Sequence, residues 1–263
     1  MPTSGSSRTG SLGGMPLKTL IAIPAFNEEA SIGAVIADLA GHHPLDQVIV
    51  IDDGSRDATS RIAREAGVRV LRHAVNLGVG AAMGTAFKFA ARHGYEAMVQ
   101  LDADGQHRPE FLAALLEGVG TADIVVGSRF AAGGSFRSTW ARRSVQRIIA
   151  WTVSAYARTR LTDATSGFRV SGPRAIELFS QHYPVEFLGD TVESIVLASR
   201  HGLTVREIPV VMNERAGGLP SQSIFRATLY TGRIILILIL AGFRSSPPSV
   251  AAAKRRAKKV AAQ

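Results

Sequence analysis

The sequence predicts an α/β domain built on a mostly parallel sheet with helices on both faces, followed by a C-terminal membrane-associated helix. Three observations lead there. From Leu17 onward, short apolar runs alternate with stretches of helical periodicity. Polar clusters close the apolar runs, and an open parallel sheet binds its ligands at those carboxyl ends. Near the end of the chain, an apolar segment stands beside a run of basic residues.

The elements follow in order. Leu17–Pro24 reads as a strand and Glu28–Ala40 as a helix, then Gln47–Ile51 as a strand and Ala58–Ala66 as a helix. Val68–Leu71 is a short strand, Ala81–His93 a helix, and Ala97–Leu101 the fourth strand. A helix over Pro109–Gly118 precedes a strand at Ile124–Val126. Strands that alternate with helices in this way imply a sheet covered on both faces. After Arg129 the pattern changes. Gly133-Gly134 reads as a mobile loop, Ser138–Arg160 as a helix, and Asp163–Gly172 as a turn-rich stretch. Two more helices, a strand at Thr204–Val211 and a last helix at Ser223–Phe243 complete the chain. Residues 1–14 are Ser/Gly/Thr-rich and are expected to lack structure, with no apolar segment of the secretory type. The division expected is therefore a leader (1–14), one catalytic domain (15–215), an interfacial helical region (216–243) and a basic tail (244–263).

Charge narrows the function. The formal net charge is +9, but Arg244–Gln263 holds six basic residues and no acidic one, leaving the rest at about +3. A nucleic-acid-binding surface is not expected. A basic tail beside an apolar helix instead suits an anionic membrane surface. There is no cysteine, so disulfides, thiolate metal sites and a cysteine nucleophile are excluded. A G-x-G-x-x-G turn is missing after the first strand, which disfavours a dinucleotide-binding oxidoreductase. No G-x-x-x-x-G-K-[ST] loop is present either, which disfavours a nucleoside triphosphatase.

The polar clusters carry the chemistry. Asp102 and Asp104 stand one residue apart at a strand end, so alternation puts both side chains on one side, with Gln106 a further step along. Two carboxylates there can share Mg²⁺ or Mn²⁺ with waters and substrate phosphates, which makes a diphosphate a good leaving group. Asp52 and Asp53 close another buried strand and can accept hydrogen bonds from a base or ribose; Ser55 reads equally as a helix cap. Asn76 to Gly80 is a Gly-containing turn able to approach a phosphate or ribose. Arg129 and Arg169 are anion partners, since guanidinium binds phosphate in bidentate fashion. Asp163, Asp190 and Glu193 are the remaining carboxylates from which a base could come, and each reads also as a cap or helix-face charge. Among the histidines, His107 stands apart only because it follows the Asp-x-Asp turn.

Taken together, Ile23-Pro24-Ala25-Phe26-Asn27-Glu28-Glu29, Asp52-Asp53-Gly54-Ser55, Asp102-Ala103-Asp104-Gly105-Gln106-His107, Gly127-Ser128-Arg129 and Thr165-Ser166-Gly167-Phe168-Arg169 resemble family 2 glycosyltransferases. More narrowly they are similar to the polyprenyl-phosphate branch typified by dolichyl-phosphate mannose synthase. The resemblance runs from about Leu17 to Val211. It implies a GT-A fold, inversion at the anomeric carbon, a UDP- or GDP-sugar donor, a polyprenyl-phosphate acceptor and Mg²⁺ or Mn²⁺ as cofactor. Pro24, Ala25, Asn27 and Glu28 would then line the nucleotide with Asp52, Asp53, Asn76, Gly80 and Asp102. Asp102, Asp104 and Gln106 would bind metal and diphosphate, and Arg129, Ser166 and Arg169 would meet acceptor or donor phosphate. Asp104, Arg129, Asp163 and Asp190 are the catalytic candidates. Some members carry an Asp just before the Phe-Arg pair; here that position is Gly167, so no base transfers to it. A lipid monophosphate, already anionic near neutrality with a second pKa of about 6, needs none.

The membrane end is read from spacing. Ile234–Phe243 is a run of ten residues, short of the roughly 20 that span a bilayer. Arg226, Tyr230 and Arg233 share one helix face, as in an interfacial or shallowly inserted helix. A buried core or dimer helix is the competing reading, and a homo-oligomer or a small membrane-protein partner stays open. The same donor chemistry onto a saccharide or hydroxyl acceptor, and a non-catalytic nucleotide-sugar-binding module, are the alternative functions.

Overall fold

The computed structural model describes residues 11–12, 15–131, 140–157, 159–184 and 190–213. The Gly133-Gly134 loop, the last apolar helix and the basic tail expected from the sequence lie outside the described residues, as does most of the leader. Of that leader, β1 (Ser11–Leu12) pairs antiparallel with β2 (Met15–Pro16).

The main sheet then builds in chain order from β3 (Thr19–Ala25), β4 (Val48–Asp52), β5 (Arg69–Arg72), β6 (Ala97–Gln100), β7 (Ile124–Ser128), β8 (Arg169–Ser171) and β9 (Val205–Pro209). Across the sheet the order is β5-β4-β3-β6-β8-β7-β9. Every pairing is parallel except the two made by β8, which runs against β6 and β7. The helices are α1 (Ile32–Ala40), α2 (Thr59–Glu65), α3 (Val79–Arg92), α4 (Leu112–Gly118), α5 (Trp140–Ala157), α6 (Pro173–Gln181) and α7 (Asp190–Arg200). Nearly all match the expected elements within a few residues. Two departures stand out: β8 lies inside the stretch expected to be turns, and β1 forms within residues 1–14, which were expected to lack structure. Among the described residues, no helix is long and apolar enough to cross a membrane.

The central strands are apolar throughout because both faces are covered. Alternation splits each strand between two cores. Leu20, Ala22, Ile49, Ile51 and Met98 face α3, α6 and α7. Ile21, Ile23, Val48, Val50 and Val99 face α1 and α4. In the first core Phe87 of α3, 2% exposed, stacks tilted on Phe179 of α6 with ring centroids 4.9 Å apart, and Tyr183 lies 5.0 Å from it.

The strand order reverses direction at β3, whose neighbours are β4 and β6. A crevice opens outside the carboxyl ends at such a switch point. Since β8 is antiparallel, its amino end points to that same edge. The turn preceding it, Asp163 to Phe168, is thereby delivered beside the carboxyl ends of β6 and β7. The sheet gathers every polar cluster on one rim.

Phe87→Ala removes the ring on which α3 and α6 meet. Urea denaturation should show a loss of about 3–5 kcal/mol, with the fold retained by far-UV circular dichroism.

Candidate active site

Three loops at the rim are knitted together by their own hydrogen bonds. Asn27, with φ 54°, donates its N–H to the Ser55 hydroxyl at 2.9 Å and accepts the Arg56 N–H at 2.9 Å. Glu28 donates its N–H to Thr59 Oγ1 at 2.8 Å and accepts the Ser31 hydroxyl on its carboxylate at 2.8 Å. Ser55 is thus neither a ligand arm nor the α2 cap; it joins the loop after β3 to the loop after β4. Gly54, at φ 77°, lies against the third loop: a Cβ there would stand 2.6 Å from the Val75 carbonyl carbon. Only glycine permits that approach without displacing backbone.

Asp52 and Asp53 hold this web from beneath. Asp52 is fully buried, accepts the Ser55 N–H at 2.8 Å and the Ser60 hydroxyl, and pairs with Arg72 Nε at 3.4 Å. Burial alone would push its pKa up. The hydrogen bonds from Ser55 and Ser60, with the Arg72 charge, more than offset that and hold it below the ordinary value of 3.8. Asp53, 3% exposed, accepts the Leu77 and Gly78 N–H groups at 3.0 and 2.7 Å and faces His73 Nδ1 at 2.7 Å. His73 Nε2 meets Thr85 Oγ1 at 2.9 Å. Both aspartates, expected to contact a base or ribose, are buried and accept donors of the chain itself. They brace the rim loops from inside. Pro24 is partly buried in β3, Ala25 is buried, Asn76 is exposed at the rim and Gly80 lies buried in the first turn of α3.

The acidic turn is more open. β6 stops at Gln100, and Asp102 to Gly105 form a turn, so a turn and not a strand end carries the pair. The alternation survives: Ala103 is buried at 4% while Asp102 and Asp104 are partly exposed. The Asp102 side chain is 39% exposed. The Gln106 N–H donates to Asp104 Oδ1 at 3.1 Å, and Gln106 O accepts the Asn213 N–H at 2.9 Å. Behind the turn, His107 is buried, its Nδ1 accepting the Asp102 N–H at 3.0 Å and its Nε2 lying 3.5 Å from Asp102 Oδ2. Burial lowers its pKa; Asp102 and Asp104 pull it up, while Arg129 and Arg169 pull it down, so all four charges act on this one ring. Among the described residues, no group of three or more His, Cys, Asp or Glu side chains gathers to hold a metal alone. Two carboxylates, the Gln106 amide, water and a diphosphate make a set that suits a hard divalent ion.

Arg129 reaches the rim from the end of β7. Its Nε and Nη2 donate to Asp163 Oδ2 and Oδ1 at 2.6 and 2.8 Å, and its Nη2 to Thr165 Oγ1 at 3.2 Å. Burial works against the charged guanidinium, but the Asp163 hydrogen bonds and charge, with Asp102 behind them, raise its pKa above the ordinary range. The turn bearing Asp163 is itself anchored: Glu207 accepts the Thr162 and Asp163 N–H groups at 2.8 and 2.7 Å.

Two expectations are corrected here. Asp163, a candidate for a base, does not stand open on the rim: its side chain is 0% exposed and clamps Arg129 in a bidentate pair. Arg169 is no open phosphate partner. At 4% exposure it donates to the Ser166 carbonyl at 3.2 and 2.5 Å, the Thr191 carbonyl at 3.1 Å and the Ser194 hydroxyl at 3.0 Å, stapling β8 to α7. Ser166 is buried too, at 2%. Asp190 opens α7, and its side chain lies outside the described residues. His73, Ser60 and Glu207 carried no signal in the sequence, since each works through a partner far along the chain. His107 carried one, its place after the turn.

A sheet of this topology with an acidic turn and a clamped arginine on its carboxyl rim is the arrangement of a GT-A-type sugar-transferring enzyme. The sequence matches the family described as "Glycosyl transferase family 2" over residues 20–180, and the chain belongs to that family. Among its relatives, the undecaprenyl-phosphate mannosyltransferase of Micrococcus luteus is 32% identical over 231 residues, covering 81% of this chain and 93% of that one. The polyprenol monophosphomannose synthase of Mycolicibacterium smegmatis is 32% identical over 225 residues, covering 78% and 81%. In fold, the chain is similar to glucosyl-3-phosphoglycerate synthase of Mycobacterium tuberculosis, solved with Mn²⁺, UDP-glucose and phosphoglyceric acid. The TM-score is 0.66 at 20% identity, over 88% of this chain and 81% of that one.

Asp163→Ala leaves Arg129 without its buried partner and should cost about 3–5 kcal/mol in urea denaturation, part of which Arg129→Met in the same chain restores. Asp52 has a depressed folded-state pKa, so its contribution is complete above its unfolded value of 3.8 and lost as pH falls through the lower folded value. The melting temperature of Asp52→Asn should therefore fall less steeply than that of the wild type between pH 4 and pH 2.5.

Proposed function

We propose that this protein transfers a hexose, with inversion, from UDP- or GDP-hexose to a polyprenyl phosphate at the cytoplasmic face of the cell membrane. The observation that carries the reading is the partly solvent-exposed Asp102 carboxylate in the acidic turn, on the carboxyl rim of the sheet, where its charge acts on the Asp163-clamped Arg129. The polyprenyl-phosphate acceptors in the names of the two curated relatives support it. So does a third relative, the UDP-N-acetylglucosamine--dolichyl-phosphate N-acetylglucosaminyltransferase of Methanococcus voltae, 29% identical over 72% of this chain.

The roles follow from the rim. Asp102, Asp104 and Gln106 would hold Mg²⁺ or Mn²⁺, which when bound neutralises the departing nucleoside diphosphate. The loops braced by Asp52 and Asp53 hold the nucleotide through Pro24, Ala25, Asn27 and Glu28 at the end of β3, and Asn76 at the rim. Arg129 presents a guanidinium already oriented by Asp163, which spares ordering cost when it meets a phosphate. An acceptor phosphate oxygen attacks the anomeric carbon from the face opposite the diphosphate, and the carbon–oxygen bond to the diphosphate breaks. Since the acceptor is anionic near neutral pH, no proton need be removed in that step. The commitment of Asp163 to Arg129 agrees with this, because a hydroxyl acceptor would call for a base. The C-terminal apolar segment and basic tail would keep the chain at the membrane surface.

Radiolabelled UDP- and GDP-sugars incubated with lipid extract and Mn²⁺ test the reading. Label should pass to an organic-extractable, acid-labile product. Asp104→Ala or EDTA should reduce transfer at least 10²-fold, about the value of one well-placed electrostatic contact in the transition state. Undiminished transfer in that variant with EDTA present, or label confined to water-soluble product, would reject it.

A further inference from the structure

The imidazole of His107 has a defined tautomer. A backbone N–H can only donate, and the Asp102 N–H points at His107 Nδ1 from 3.0 Å. Nδ1 therefore offers its lone pair, and Nε2 carries the proton. That Nε2 lies 3.5 Å from Oδ2 of the same aspartate, longer than an ordinary hydrogen bond. The ring thus holds the Asp102 backbone by a hydrogen bond and stands near its carboxylate. Its own ring is held in turn, stacked on Phe168 with centroids 4.8 Å apart and planes 13° from parallel, and tied by its backbone to Met212. Among the described residues, His107 is the only basic side chain within ion-pair distance of the Asp102 carboxylate.

Gly167 also lies against the carboxylate. A Cβ built on Gly167 would lie 2.8 Å from Asp102 Oδ2 and 3.0 Å from Oδ1. Any side chain at 167 would push the carboxylate out of its present position. The carboxylate is therefore close to both the His107 ring and Gly167, with 39% of the side chain exposed.

We propose that His107 is the positioning residue for Asp102, aiming its carboxylate at the cation through the Nε2–H, and that position 167 is glycine because the aimed carboxylate needs the space. The inference rests on the cation site proposed above and names the device that sets its geometry. Metal-ligating groups lean on such outer partners in general, whose loss weakens metal binding about 10–100-fold.

The test is Mn²⁺ titration of the full chain followed by electron paramagnetic resonance of the free ion, without donor or acceptor, so that turnover plays no part. His107→Phe keeps a ring on Phe168 but loses both nitrogens; its Mn²⁺ dissociation constant should rise about 10–100-fold. His107→Gln keeps an N–H at the ε position and should recover most of that loss. Gly167→Ala should weaken binding by displacing the carboxylate. A folded His107→Phe that binds Mn²⁺ within twofold of wild type overturns the proposal, as does a His107→Gln no better than the Phe variant. Should His107→Phe not fold, Gly167→Ala binding within twofold of wild type overturns it instead. Asp102→Ala separates the two levels: if it binds Mn²⁺ like wild type, the cation site itself is wrong, whereas weak binding there beside unchanged binding in His107→Phe removes only the role of His107.

Discussion

The reversal of β8 is the constraint on which the rim depends. Three residues, Arg169–Ser171, are wedged between β6 and β7, pairing Arg169 with Gln100 on one side and Val126 on the other. A parallel strand in that slot would put its carboxyl end at the crevice and leave the Thr162–Phe168 turn at the far edge of the sheet. Running backwards, β8 brings that turn to Asp102 and Arg129. The Arg169 staple to Thr191 and Ser194 then holds the wedge against α7, so a guanidinium that looks like an anion hook is spent on holding the strand.

A second theme is how the acidic residues divide their labour. Asp52, Asp53 and Asp163 are buried and answered by N–H, hydroxyl and guanidinium donors, which is the condition for keeping a carboxylate charged away from water. They give the loops a rigid shape before any ligand arrives. Asp102 keeps part of its surface in solvent. The division has a physical consequence: rigid neighbours let one exposed carboxylate be aimed, and an aimed group loses little on binding. The family to which the chain belongs transfers sugars, and a leaving diphosphate asks for that kind of fixed charge.

How much of this was legible beforehand differs from element to element. β3, β4 and β6 are continuous apolar runs ended by Pro-Ala-Phe-Asn, Asp-Asp-Gly and Asp-x-Asp, so both the strands and the polar rim could be read from pattern. β8 could not. Its Arg-Val-Ser is too short for alternation to register, and its polar neighbours look like a loop. The burial of Asp163 and Arg169 was not legible for a related reason. A carboxylate or guanidinium in a loop looks available until its partner is known, and the partners here, Arg129 and the carbonyls of Ser166 and Thr191, include residues more than twenty positions away.

By itself, the sequence determined the α/β class, the family and the edge of the sheet at which the polar clusters stand, because periodicity and local motif order are properties of neighbours along the chain. The tertiary structure alone decided which charged groups face inward as braces and which, Asp102 and Asp104 among them, keep part of their surface in solvent. Those outcomes depend on pairings across the sheet, where burial decides whether a charge must be answered by the protein or can be left for a substrate.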